Sequence, residues 1–150
     1  MSIYSFLVLI HVVAAVVGLG ASFAMPVVMK SPATAGQAKY SLNLNSKIET
    51  FAKVGSIILL ITGLVLGILN TALFTQAWYI ASIAIYIGVQ FIVAGIMPKK
   101  IKSMAEIMEN HKGDDIPDPY TKLNQELRPY NAIIHTAAVV LIVLMSLKPF

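Results

Sequence analysis

The stretch VGSIILLITGLVLGILNTALFTQAWYIASIAIYIGVQFIVAGIMP, residues 54–98, runs for 45 residues without one Asp, Glu, Lys or Arg. A membrane crossing takes about 20 apolar residues, so a block of this length is two crossings. It breaks from Asn70 and Thr71 to Gln76, which predicts spans at 50–70 and 77–97. Working outward, residues 1–29 and 129–147 are also free of these charges and predict spans near 3–28 and 129–147. The composition agrees: 57% of the 150 residues are hydrophobic, 12% are charged, and the mean hydropathy is +0.78. Apolar side chains outnumber the positions that a globule of this size can hide, so many must face lipid. In lipid the backbone must satisfy its own hydrogen bonds, and the expected fold is all-α, an integral membrane four-helix bundle forming one domain.

The charges orient the bundle. Lys30, Lys39, Lys47 and Lys53 lie between spans one and two, and Lys99, Lys100, Lys102, Lys112, Lys122 and Arg128 between spans three and four, with only Lys148 on the other side. The positive-inside rule then predicts two cytoplasmic loops and both termini extracytoplasmic, in a membrane of bacterial plasma-membrane type. The pI of about 9.4 is topological rather than a nucleic-acid footprint, since six acidic residues share the second loop with its six basic ones. Ser22 and Ala24 mimic a signal cleavage site. However, Met1, Ser2 and Ile3 offer no basic n-region and the apolar run outlasts a signal core, so span one reads as an uncleaved anchor.

Small residues suggest where helices meet. Ala14, Gly18 and Ser22 recur every four residues in span one, and Gly63 and Gly67 form a GxxxG pair in span two; both read as packing seams where backbones approach closely, with a homodimer through the glycine pair left open. Ser46 with Glu49 reads as a capping box opening span two, and Glu49 with Lys53 as an i,i+4 ion pair. In span three Tyr79, Ser82, Tyr86 and Gln90 form an inward polar stripe that Pro98 closes. Ile101, Met104 and Met108 predict an amphipathic helix over 99–112, either lying on the membrane or extending span three. Asp118 and Pro119 suit the N-cap and first position of the last helix, which Pro129 is expected to kink.

Cysteine is absent, which excludes disulfides, thiolate zinc sites, iron–sulfur clusters, covalently attached haem and cysteine nucleophiles. The informative residues are His11 and His135, the only strongly ionisable side chains inside the hydrocarbon. By helical rise they lie roughly 12 Å and 18 Å below the outer boundary. Two inward imidazoles on opposite helices suit the axial positions of a b-type haem between spans one and four. Gln90 and Tyr86 are polar groups expected around it. Without a carboxylate at that depth neither histidine has an acid partner for catalysis. Copper(I) held by thioethers at Met25 and Met29 is the metal alternative, and helix packing with no cofactor the structural one.

These residues also resemble a known group. His11 with Pro26 in the first span, Arg128, Pro129, Tyr130 and Asn131 opening the last, and Lys148, Pro149 and Phe150 at the end look like the HemJ-type protoporphyrinogen oxidases. Thr62, Gly63, Leu64 and Trp78 resemble the related CopD-like proteins. The resemblance implies a four-span frame, haem b bound through His11 with Arg128 and Asn131 of the last-span motif beside it, and a role in electron transfer or haem handling, with copper handling as the CopD-like version. The chain departs from the oxidase pattern at Ala132, where Glu is expected, at Ile134 for Pro and at Val27 for Arg, and span three has no early Lys. Those departures remove groups that would hold propionates or move protons, so binding is expected ahead of oxidation.

Overall fold

A computed structural model describes residues 2–149. Phe150, the last residue of the C-terminal motif, lies outside them. Among the described residues there is no strand, and four helices are long and apolar enough to cross a membrane.

Helix α1 (Ile3–Lys30) starts at Ser2, whose hydroxyl accepts from the Ser5 amide, and carries Pro26 within it. Helix α2 (Ala35–Leu69) begins fifteen residues before the expected span. Its cap is Thr34, whose hydroxyl accepts from Gln37 N while Gln37 Oε1 accepts from Ala33 N. The capping box is therefore Thr34 with Gln37, and Ser46 is mid-helix, its carbonyl accepting from Thr50. The early start has a packing cause: Ala35, Ala38, Ser41, Leu42 and Asn45 recur at helical spacing and are buried. The Glu49–Lys53 pair forms at 2.7 Å.

After Asn70 a 3-10 turn (Thr71–Thr75) leads to α3 (Ala77–Gln90), a π-helical turn (Phe91–Ile96) and α4 (Met97–Asn110), continuous from Ala77 to Asn110. Pro98 therefore does not end the span. Proline lacks an amide hydrogen and crowds the carbonyl four residues back; the wide turn just before it lets the helix pass through. The predicted amphipathic segment is this extension, with Met104 and Met108 fully buried.

Helix α5 (Asp118–Leu147) starts one residue earlier than the capping pattern suggests, with Pro117 at the cap, and continues through Pro129. It ends on Lys148 in the left-handed region, φ 47°.

The helices enclose two cores. On the cytoplasmic side Met29, Ala35, Leu42, Met104, Met108, Tyr120 and Leu127 pack together, and Ala35 N donates to Asp114 O at 2.9 Å, docking α2 on the last turn. In the outer half Ala14, Leu59, Tyr86 and Leu141 pack together. Val16, Ile68 and Phe91 are among the large apolar side chains left on the outside, as a lipid-facing surface requires.

Candidate functional site

Helices α1 and α2 pack backbone against backbone at Gly18 and Gly55. A Cβ at Gly55 would lie 2.5 Å from Gly18 N and 3.0 Å from Ala14 O, so only glycine fits there. From this crossing the antiparallel helices run outward together, and two turns on they bring His11 to Thr62, Nδ1 to Oγ1 at 2.8 Å. Gly63 makes room for the ring, since a Cβ there would meet His11 Cε1 at 3.2 Å. Gly67 makes room for Tyr79, whose hydroxyl donates to Gly63 O at 3.0 Å. The GxxxG pair is therefore filled by side chains of its own chain.

His11 Nδ1 and the Thr62 hydroxyl share one hydrogen bond. Thr62 Oγ1 also lies 2.7 Å from Ile58 O. When its proton goes there, its oxygen accepts from His11, and in that tautomer Nδ1 carries the ring proton and Nε2 keeps its lone pair. The second-layer bond that orients the ring is of the kind that prepares a histidine to hold a ligand.

His11, Gly63, Tyr79, Ser82, Tyr86 and Met145 line a cavity of about 70 Å³ whose other walls are aliphatic. The hydroxyls here are already used as donors: Tyr86 donates to Ser56 O at 2.6 Å and Ser82 to Trp78 O at 2.7 Å. The expected polar stripe thus faces α2, with Gln90 Nε2 donating to Ser56 Oγ at 3.1 Å. Leu60, Leu64 and Ile142 line the cavity and also stand 37–49% exposed, which opens it sideways to the bilayer.

The two membrane histidines do not meet. His135 Nε2 donates to Ser22 O at 3.1 Å and its ring stacks on Phe23 with centroids 4.4 Å apart. Ser22 and His11 are separated along α1 by about 16 Å at 1.5 Å per residue. Two axial nitrogens on one iron lie about 4 Å apart, twice a metal–imidazole bond, so His11 and His135 are not a pair of haem ligands. Equal starting depths of the two helix ends would bring the rings close, whereas α5 sits with His135 a full three turns nearer the cytoplasm than His11.

The remaining expected groups disperse as well. Of the six, only His11 and Tyr86 line the cavity; Gln90 is spent on Ser56, and Arg128 and Asn131 lie toward the cytoplasmic end of α5. His11 has the chemistry of an axial ligand, but a porphyrin does not fit: a cavity of about 70 Å³ has no room for a macrocycle, and no Lys or Arg lines the wall to hold propionates. Met29 is packed in the cytoplasmic core with Met104 and Met108, as apolar filling. Among the described residues there is no group of three His, Asp or Glu that could hold a metal ion. Thr62 and Met145 are the site residues that sequence reasoning missed; Thr62 adjoins Gly63, but nothing in the chain shows that it faces His11.

Compared with known proteins, residues 5–149 match the family described as Predicted integral membrane protein (DUF2269). No curated protein and no solved structure matches the chain. The match supports a membrane family and does not single out the oxidase-like or copper-type proteins that the short motifs resemble.

Proposed function

We propose, for a chain that belongs to the predicted integral membrane protein family DUF2269, that it binds a small membrane-dissolved molecule in the outer half of its bundle, through His11. The observation that carries this is His11 on the wall of an otherwise apolar cavity with Nδ1 bonded to Thr62, since the tautomer protonated at Nδ1 leaves Nε2 as a ring acceptor. A pocket of that kind selects a molecule with one hydrogen-bond donor on an apolar head. The rings of Tyr79 and Tyr86 favour an aromatic head, and the sideways mouth leaves a tail in the lipid. A phenol or hydroquinone head with an aliphatic tail has these properties.

The test compares a short-tailed hydroquinone with its dimethyl ether, which has the same ring and no donor, by quenching of Trp78 in detergent-purified protein. A hydrogen bond to His11 is worth up to about tenfold in affinity, so the hydroquinone is expected to bind more tightly by that order. His11→Phe should remove the difference. Equal binding of both compounds by the wild type, or a preference that survives in His11→Phe, refutes the reading.

A further inference from the structure

Arg128 opens the last span, and the cavity at His11 makes no use of it. It is exposed, and among the described residues no carboxylate pairs with it. One turn outward begins a groove of about 420 Å³ between α3 and α5, lined by Ile85, Ala132, Ile133, Thr136, Ala137 and Val140. Its α5 wall repeats every four residues from Ala132 through Thr136 to Val140, and Arg128 continues the same series one turn below the groove's cytoplasmic end.

The groove's length and surroundings match one occupant. From Ala132 to Val140 it runs about 12 Å, close to the roughly 15 Å of one leaflet's hydrocarbon. The walls are short or aliphatic side chains, and Ile133 at 50% and Val140 at 39% exposure show that it opens to lipid. Residues 129–147 carry no Asp, Glu, Lys or Arg, so Arg128 is the last charge before the hydrocarbon, at the depth of phosphates. Two residues away Glu126 is tied to Lys100 of α4 at 2.7 Å, which neutralises that neighbouring cation, itself 6.0 Å from the Tyr130 ring, and leaves Arg128 without a carboxylate.

We propose that this groove seats an acyl chain of an anionic phospholipid whose phosphate is held by Arg128. The inference is independent of the His11 cavity. Guanidinium suits the task because its fork presents paired donors to phosphate oxygens.

Native mass spectrometry from micelles containing equimolar phosphatidylglycerol and phosphatidylcholine with identical chains tests it. Wild type is expected to retain the anionic lipid about fivefold over the neutral one, the effect of one basic residue at the membrane surface. Arg128→Gln should bring the ratio to near one and Arg128→Lys should keep most of it. Thr136→Phe, which fills the groove from an exposed position, should reduce retention of both lipids. Lys122→Gln, a cytoplasmic cation nearly two turns below, should leave the ratio alone. Equal retention by the wild type, an unchanged ratio in Arg128→Gln, an equal loss in Lys122→Gln, or undiminished retention in Thr136→Phe overturns the proposal.

Discussion

Replacing Gly55 by alanine should weaken the bundle more than any other single methyl addition on the α1–α2 seam. The new Cβ would lie 2.5 Å from Gly18 N and 2.6 Å from Gly18 Cα, against ordinary contacts of 3.4 Å and more. Both obstacles are backbone atoms of a regular helix, so no side chain can turn aside and the helices must separate by about 1 Å. A gap of that size forfeits a quarter to a half of each van der Waals contact along the seam. Overpacking of this kind costs about 1–3 kcal/mol, here at the upper end because nothing local yields, while alanine in a helix returns up to about 1 kcal/mol relative to glycine. The net loss is about 2 kcal/mol, or roughly thirtyfold in the unfolding equilibrium. Gly18→Ala meets backbone at 3.0 Å and should cost less, and Gly20→Ala meets nothing within 4 Å and should gain about 0.5–1 kcal/mol. Unfolding in mixed micelles followed by Trp78, the only tryptophan, ranks the three. If Gly55→Ala is as stable as wild type, or no less stable than Gly20→Ala, the seam is not where the structure puts it.

The Lys100–Glu126 bridge predicts a pH dependence. The hydrogen bond from Lys100 holds the Glu126 carboxyl below its ordinary value of 4.5, so its contribution is complete above that value and is lost as pH falls through the depressed one. Glu126→Gln should therefore differ slightly from wild type at neutral pH and converge with it in acid; a difference constant from pH 7 to pH 3 contradicts this. The reverse holds for Lys100, raised by Glu126: its share is present below 10.5 and is lost as pH climbs through the higher folded value. Tyr120 has a buried hydroxyl without a partner, and burial pushes its titration up. Tyr120→Phe should be neutral or stabilising by up to about 1 kcal/mol in the same unfolding assay, and a clear loss would show that the hydroxyl is paired after all. Because the chain has no cysteine, single cysteines at Ser2 and Lys112 report orientation without background. An impermeant maleimide added to intact cells should label the first and not the second, and the opposite pattern would invert the topology.

The spans were legible because charge is costly in hydrocarbon, and the blocks at 54–98 and 129–147 have none. The inward stripe of Tyr79, Ser82, Tyr86 and Gln90 was legible for the same reason: polar groups at helical spacing in an apolar segment must turn toward partners. The first half of α2 was not, because its buried face of Ala35, Ala38, Ser41 and Asn45 is small or polar and hydropathy does not register it. Nor was the site, and the reason lies in the register between helices rather than in any residue type. Gly18 was legible as a packing residue and Gly63 with Gly67 as another seam, but the partner of Gly18 is Gly55, which belongs to no four-residue series of small residues. Once Gly18 and Gly55 are opposed in antiparallel helices, seven residues outward on each chain segment lie opposite one another as well, and these are His11 and Thr62. One close approach thus pairs the imidazole with a hydroxyl, places the glycine pair behind His11 and Tyr79, and leaves His135 three turns away to bond the Ser22 carbonyl instead.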